Sequence, residues 1–291
     1  MHPLSMSGCP VQQDDSTQGL YGLDLKGIRD WNEEFQICRM AVIEGPESEI
    51  HRERGMFKTY QEFLTSAMAA GQAIIQGNIP SLNPFEKNRE QQVFLYNNIF
   101  FSFAIDDYLG FSHYRPEQNP THSAVNYDIL ALNKITKKRV KGLHTIITAL
   151  LDYMGVRIIA QSMLPGILHA DESSEATKYG SIDDGKHIKC DKDFDELVRE
   201  QNEVFHIKES ALVDEEGNKV TISGCRDTKG ILGTDNRKYL LDIHRFTPRD
   251  LNYPTEEWVA EIHADYLSAT VRPELLDIFH NNTVKQLAHE K

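Results

Sequence analysis

This 291-residue sequence predicts an α+β fold, with mainly antiparallel sheets packed by a long N-terminal helix and further helices. Three observations lead there. Met56, Phe57, Tyr60, Phe63, Leu64, Ala67, Ala70, Ile74 and Ile75 recur at spacings of three and four, which lays one apolar stripe along a helix. Gln91 to Ile105 is rich in aromatic and β-branched residues and short of helix formers, and Val156 to Leu164 is a mostly apolar run between turn signals, so both read as strands. Turn dipeptides interrupt or separate such runs, as Asp184-Gly185 does, and these tolerate the positive φ that a tight hairpin requires.

In chain order, residues 1–20 are polar and carry Pro3, Pro10 and the run Asp14-Asp15-Ser16-Thr17, so a flexible lead is expected. Trp31 and Phe35 can anchor the next segment on a core. Ser48 is the expected cap of the long helix, with Glu49 near its positive end, and Gly77 with Pro80 stops it. Asn97-Asn98 can bend the following strand into two. Residues 106–120 read as a polar loop and His122 to Leu132 as a short helix, before a basic connector. Val156 to Leu164 follows the Gly155 turn and is stopped by Pro165-Gly166. Tyr179 to Lys186 is a further strand broken at Asp184-Gly185, and Asp191 caps a helix through Phe205. Two hairpins are then expected, turning at 215–218 and 234–237, and helices at 255–270 and from Pro273 to His289. No internal repeat is seen.

Composition excludes some function classes. A formal net charge of -13 opposes loose attraction to phosphate backbones or anionic membranes, so any nucleic-acid contact must be local. The four cysteines, Cys9, Cys38, Cys190 and Cys225, are widely spaced and form no zinc-binding pattern with histidine, which fits reduced thiols. With no basic-then-apolar leader and no run of about 18 apolar residues, a soluble cytoplasmic protein without membrane insertion is expected.

The order of motifs resembles the central Clu domain of the clustered-mitochondria family, the Clueless-like and Friendly-like proteins. The matching stretches are RDWNEEFQ at 29–36, GNIPSLNP at 77–84, NNIFFSFA at 97–104 and GLHT at 142–145. They continue with DYMGVRIIAQSMLPGIL at 152–168, YGSIDDGK at 179–186, KGILGTDNRKYLLDIHRFTPRDLNY at 229–253 and RPEL at 272–275. Each is a weak pattern alone; their joint presence in one order is specific. The resemblance implies a domain over 21–253, then a helical extension over 254–291 that includes RPEL, and a chain that is a Clu domain nearly alone. The family's proteins are several times longer, with a ubiquitin-like region before this domain and tetratricopeptide-type repeats after it. Family membership also implies a role in mitochondrial biogenesis and distribution, linked to messenger-RNA binding and translation. The implied partners are messenger RNA, ribosome-associated proteins or other proteins.

Several residues could carry binding chemistry. Lys186 follows Gly180 and Gly185 at GxxxxGK spacing, but His187 stands where a phosphate loop needs Ser or Thr before a helix, so a hairpin turn is expected instead. In YLLDIHR, Asp242 and His244 share one strand face and Arg245 lies on the other. A carboxylate on an apolar strand needs a donor, which makes an ion pair with Arg249, Arg157 or Lys186 the expected arrangement and an anion site the sharper alternative. Lys137, Lys138 and Arg139, with Lys134 and Lys141, form the one dense basic cluster. Arg237, Arg245, Arg249 and Arg272 could engage phosphate oxygens, with Tyr239, Phe246 and Tyr253 offering stacking faces. No nucleophile arrangement or metal-ligand motif is legible, so a non-enzymatic module without cofactors is expected. The alternatives are an interaction scaffold without RNA contact and a nucleotide-binding or anion-binding module using Lys186 and Asp242.

Overall fold

The computed structural model describes residues 29–105, 120–167, 176–182, 187–224, 228–241, 243, 271 and 273–289, without the side chains of 120–128, 181 and 273. The expected N-terminal lead, the polar loop after 105, the helix at 255–270, Lys186, Asp242, His244, Arg245 and Arg249 lie outside the described residues, as do Phe246, Tyr253 and Arg272. The chain divides into two compact units. One comprises 1–105, 144–176 and 232–239; the other comprises 106–143, 177–231 and 240–291.

In the first unit α1 (Trp31–Arg39) begins at Asp30, whose carboxylate accepts from the Glu33 N–H at 2.9 Å. Helix α2 (Pro46–Ile75) carries the apolar stripe and buries Met56, Phe63, Ala67, Ala70 and Ile74. It starts earlier than expected, because Pro46 suits the first helical turn and leaves Ser48 inside the helix. From there the Ser48 hydroxyl reaches back to accept from the Gly45 N–H at 3.1 Å. At the other end Gly77 takes φ +80°, Gly77 N–H donates to Ile74 and Asn78 N–H to Ala73, the paired closure that a left-handed residue permits.

Strands β1 (Val93–Tyr96) and β2 (Ile99–Phe103) form a hairpin in which Tyr96 faces Ile99. Asn97 and Asn98, at φ 51° and 57°, supply its two-residue turn, so the predicted bend is a full reversal. Met154 (φ 50°) and Gly155 (φ 77°) do the same between the later strands 148–153 and 156–162. Those strands, numbered β4 (Thr148–Tyr153) and β5 (Val156–Ser162) after the short β3 (Leu143–His144), complete a four-stranded sheet in the order β1-β2-β5-β4. Trp31 packs edge-on against Phe63 at 5.6 Å, and Gly71 of α2 lets Leu151 of β4 approach closely. Phe94, Phe101, Ile158 and Ala160 close this core.

Helix α3 (Pro120–Lys138) extends through Lys134, Lys137 and Lys138, so the expected basic connector is largely helical. Strands β6 (Thr177–Ile182) and β7 (His187–Cys190) pair antiparallel on either side of 183–186, with Ile182 opposite His187. Helix α4 (Lys192–Asn202) is capped by Asp191, which accepts from the Phe194 N–H at 2.9 Å. Strands β8 (Ser210–Val213) and β9 (Lys219–Ile222) make a separate two-stranded ribbon. With β10 (Lys229–Leu232) and β11 (Lys238–Leu241), the five-stranded sheet has the order β3-β11-β10-β6-β7. The second core gathers Leu132, Ile135, Tyr179, Phe194, Val198, Phe205 and Ile222. Helix α5 (Pro273–His289) contributes Leu276 to the buried set, while Leu275, Ile278, Val284 and Leu287 are exposed. Among the described residues the strands divide among three sheets, and the antiparallel α+β class holds.

Candidate functional site

Of the predicted binding residues, Lys137, Lys138 and Arg139 fall within the described residues. Lys138 Nζ meets Glu203 at 2.7 Å, and Lys134 Nζ meets Asp277 at 2.8 Å while lying 6.0 Å from the Phe205 ring centroid. Arg139 is half-buried with φ 55°, just beyond the helix end. Lys137 and Lys141 are exposed. Part of the basic cluster is thus tied to the protein's own carboxylates, and the outward face is carried by Lys137 and Lys141. Arg157, one of the three proposed partners of Asp242, clasps Asp152 across the β4–β5 hairpin at 2.7 and 2.6 Å.

Among the described residues, a more extensive polar network lies elsewhere in the first unit. Helix periodicity places Asn32 and Gln36 on one face of α1, one turn apart. The Gln36 side-chain amide donates to Asn32 Oδ1 at 3.1 Å and to the Thr145 carbonyl at 2.7 Å, and its oxygen accepts from His144 Nδ1 at 2.9 Å. Asn32 Nδ2 donates to the Tyr239 hydroxyl at 2.7 Å, and that hydroxyl donates to Asp235 Oδ2 at 2.6 Å. Arg237 donates to the same Asp235 oxygen at 3.2 Å and forks onto Glu33. Asn32, Gln36, His144 and Tyr239 are all buried.

The electrostatics of this group follow from burial and the two guanidinium groups near it. His144 is lowered to about 4, first by burial and then by the positive charges of Arg39 and Arg237, so its imidazole is neutral at pH 7. A neutral ring bonded to the Gln36 oxygen carries its proton on Nδ1. Burial pushes the Tyr239 hydroxyl well up, with Asp235 adding to the effect. The hydrogen bonds from Arg237 hold Glu33 below the usual carboxylate range. Each polar group in the relay meets a complementary one, an arrangement that fixes the register of α1 against Thr145 and the turn 233–237.

A second network occupies the other unit. The Tyr179 hydroxyl donates to Asp195 Oδ1 at 2.9 Å and accepts from the N–H groups of Ser223 and Gly224, each at 2.9 Å. Arg199 and the Ser223 hydroxyl also bind Asp195, at 2.9 and 3.1 Å. The carboxylate anchors α4 to the end of β9. Tyr239, considered above as a stacking face, is fully buried, so its ring is closed to a nucleic-acid base. Arg237, one of the arginines weighed for phosphate, is occupied by Glu33 and Asp235.

Sequence reasoning missed Asn32, Gln36, His144 and Asp235. Their only advance signal was polar residues at positions where the α1 stripe and the GLHT segment demand burial. Asn32 and Tyr239 are separated by 207 positions, and no local pattern joins them.

Among the described residues no helix is long and apolar enough to cross a membrane. A profile of the family described as Clustered mitochondria (CLU) matches residues 30–253. The Clustered mitochondria protein of Arabidopsis thaliana is 34% identical over 297 residues, covering 89% of this chain and 20% of that protein. A homologue from Aspergillus terreus is 31% identical over 291 residues, covering 98% of this chain and 22% of its own length. One from Pyricularia oryzae is 32% identical over 263 residues, covering 89% and 20% respectively. This chain therefore spans about a fifth of the length of these curated relatives. No solved structure matches it. A profile match over most of the chain, joined to relatives above 30% identity, means that the chain belongs to the clustered-mitochondria family.

Proposed function

We propose that the chain is a non-enzymatic scaffold module serving mitochondrial distribution from the cytoplasm, acting through protein contacts. The observation that carries this reading is the family match over 30–253, with relatives named for clustered mitochondria. The geometry supports the non-enzymatic part. Asp195, Asp235 and Glu33 are each bonded to donors inside the protein, which is how carboxylates behave when they fix a fold. Exchange of the matching segment of a full-length relative for residues 30–253, followed by imaging of mitochondria in cells lacking the native copy, tests the proposal. Dispersed mitochondria are expected; persistent clustering with a folded, expressed chimera would overturn it.

A second reading is favoured by one specific observation. Lys137 and Lys141 stand exposed near the C-terminus of α3, and a local basic strip of this kind can contact messenger RNA or ribosome-associated surfaces despite the overall negative charge. In this reading the module adds translation-linked control to the same role. The nucleotide-binding alternative rests on Lys186 and Asp242, and predicts a rise in melting temperature with millimolar ATP or GTP.

A further inference from the structure

The ribbon turn after β8 and the first residue of β7 bring together three metal-ligating side chains from segments 27 residues apart. One ligand atom each from His187, Asp214 and Glu216 can be chosen so that all lie within 4.8 Å of one another. The group is more than an acidic patch, because an imidazole from one β element faces two carboxylates from another. Asn218 holds the carboxylates in place. Its side-chain amide donates to Asp214 Oδ2 at 3.0 Å and to Glu216 Oε2 at 3.3 Å, and its backbone N–H donates to Asp214 Oδ1 at 2.7 Å.

We infer that His187, Asp214 and Glu216 form a surface site for a borderline divalent transition-metal ion of the Zn2+ type. Ligand bonds of about 2.0–2.2 Å at tetrahedral angles place donor atoms about 3.3–3.6 Å apart. His187 and Glu216 are exposed, so side-chain rotation closes the remaining gap without moving backbone. One nitrogen and two oxygen donors suit Zn2+ better than Mg2+ or Ca2+, which take oxygen ligands. The net charge of -13 raises the local concentration of cations. A bound ion would link β7, the edge strand of the five-stranded sheet, to the β8–β9 ribbon, and would leave a fourth position for water.

The test uses the full chain, freed of metal, with Zn2+ titrated against a chromophoric chelator. His187→Ala and Glu216→Gln are compared with the parent, so that zinc held elsewhere by the other histidines and the cysteines cancels. Each variant is expected to lose one equivalent of Zn2+ or to bind it at least tenfold more weakly, with millimolar Mg2+ failing to compete. Isotherms unchanged in both variants, or displacement of the ion by Mg2+, would overturn the assignment. If metal-free His187→Ala melts below the parent, Glu216→Gln decides: loss of the same equivalent supports the site, and its retention removes it.

Discussion

Asn32 donates a 2.7 Å hydrogen bond to the Tyr239 hydroxyl from 207 positions away, and both side chains are buried. The hydroxyl passes the interaction on to Asp235 at 2.6 Å. Removing that hydroxyl strands a donor on Asn32 and leaves Asp235 Oδ2 to the longer, 3.2 Å bond from Arg237. Tyr239→Phe is expected to cost about 1–3 kcal/mol, the penalty of leaving buried polar groups unpaired. Asn32→Ala combined with Tyr239→Phe should cost less than the sum of the two single changes, measured by urea unfolding at constant m-value.

His144 sets a pH dependence. Its folded value of about 4 lies below the roughly 6.5 of an unfolded histidine, so the unfolded chain binds more protons between those limits. Stability from this residue is complete above pH 6.5 and is lost as the pH falls from there towards 4. In a series of unfolding curves, His144→Gln should flatten this part of the profile; an unchanged slope would show that other groups dominate it.

Two glycines with left-handed backbones should respond very differently to alanine. At Gly180 (φ +89°) an added Cβ would lie 1.7 Å from the Thr228 carbonyl oxygen, whereas at Gly155 (φ +77°) nothing stands within 4 Å. Gly155→Ala is expected to cost about 1–2 kcal/mol, the strain of the left-handed conformation alone. Gly180→Ala must also displace backbone and is expected to lose more than about 4 kcal/mol, which chemical denaturation or soluble yield will register.

If the basic strip at the end of α3 contacts RNA, retention of single-stranded RNA on filters at low salt should fall when Lys137 and Lys141 are both replaced by Glu. Retention should also weaken as salt rises. Binding that is insensitive to both changes would point away from this surface.

Much of the local fold was legible because it depends on local physics. Asn97-Asn98 and Gly155 announced their turns through residue types that accept positive φ, and the stripe from Met56 to Ile75 declared a helix through its period. Ser48 was misplaced because Pro46 and an extended Gly45 begin the helix earlier, so the hydroxyl acts from within the first turn. The basic run read as a connector because its charges suggested solvent. In the structure Lys134 and Lys138 find carboxylates on other helices or just beyond them, and the helix continues through them. Division into three sheets, the Asn32 relay and the meeting of His187 with Asp214 depend on distant segments, which residue periodicity cannot register. The Clu-domain resemblance, by contrast, was legible from motif order, because eight short stretches recur in sequence.

The most direct test of the scaffold account is the segment exchange, made in parallel with an intact insert and one carrying Gly180→Ala. Cells lacking the native protein are scored for mitochondrial dispersal and for chimera abundance. The account predicts dispersed mitochondria with the intact insert and clustered ones with the disrupted insert. Clustering with the intact insert, present as a folded chimera at normal abundance, would contradict it.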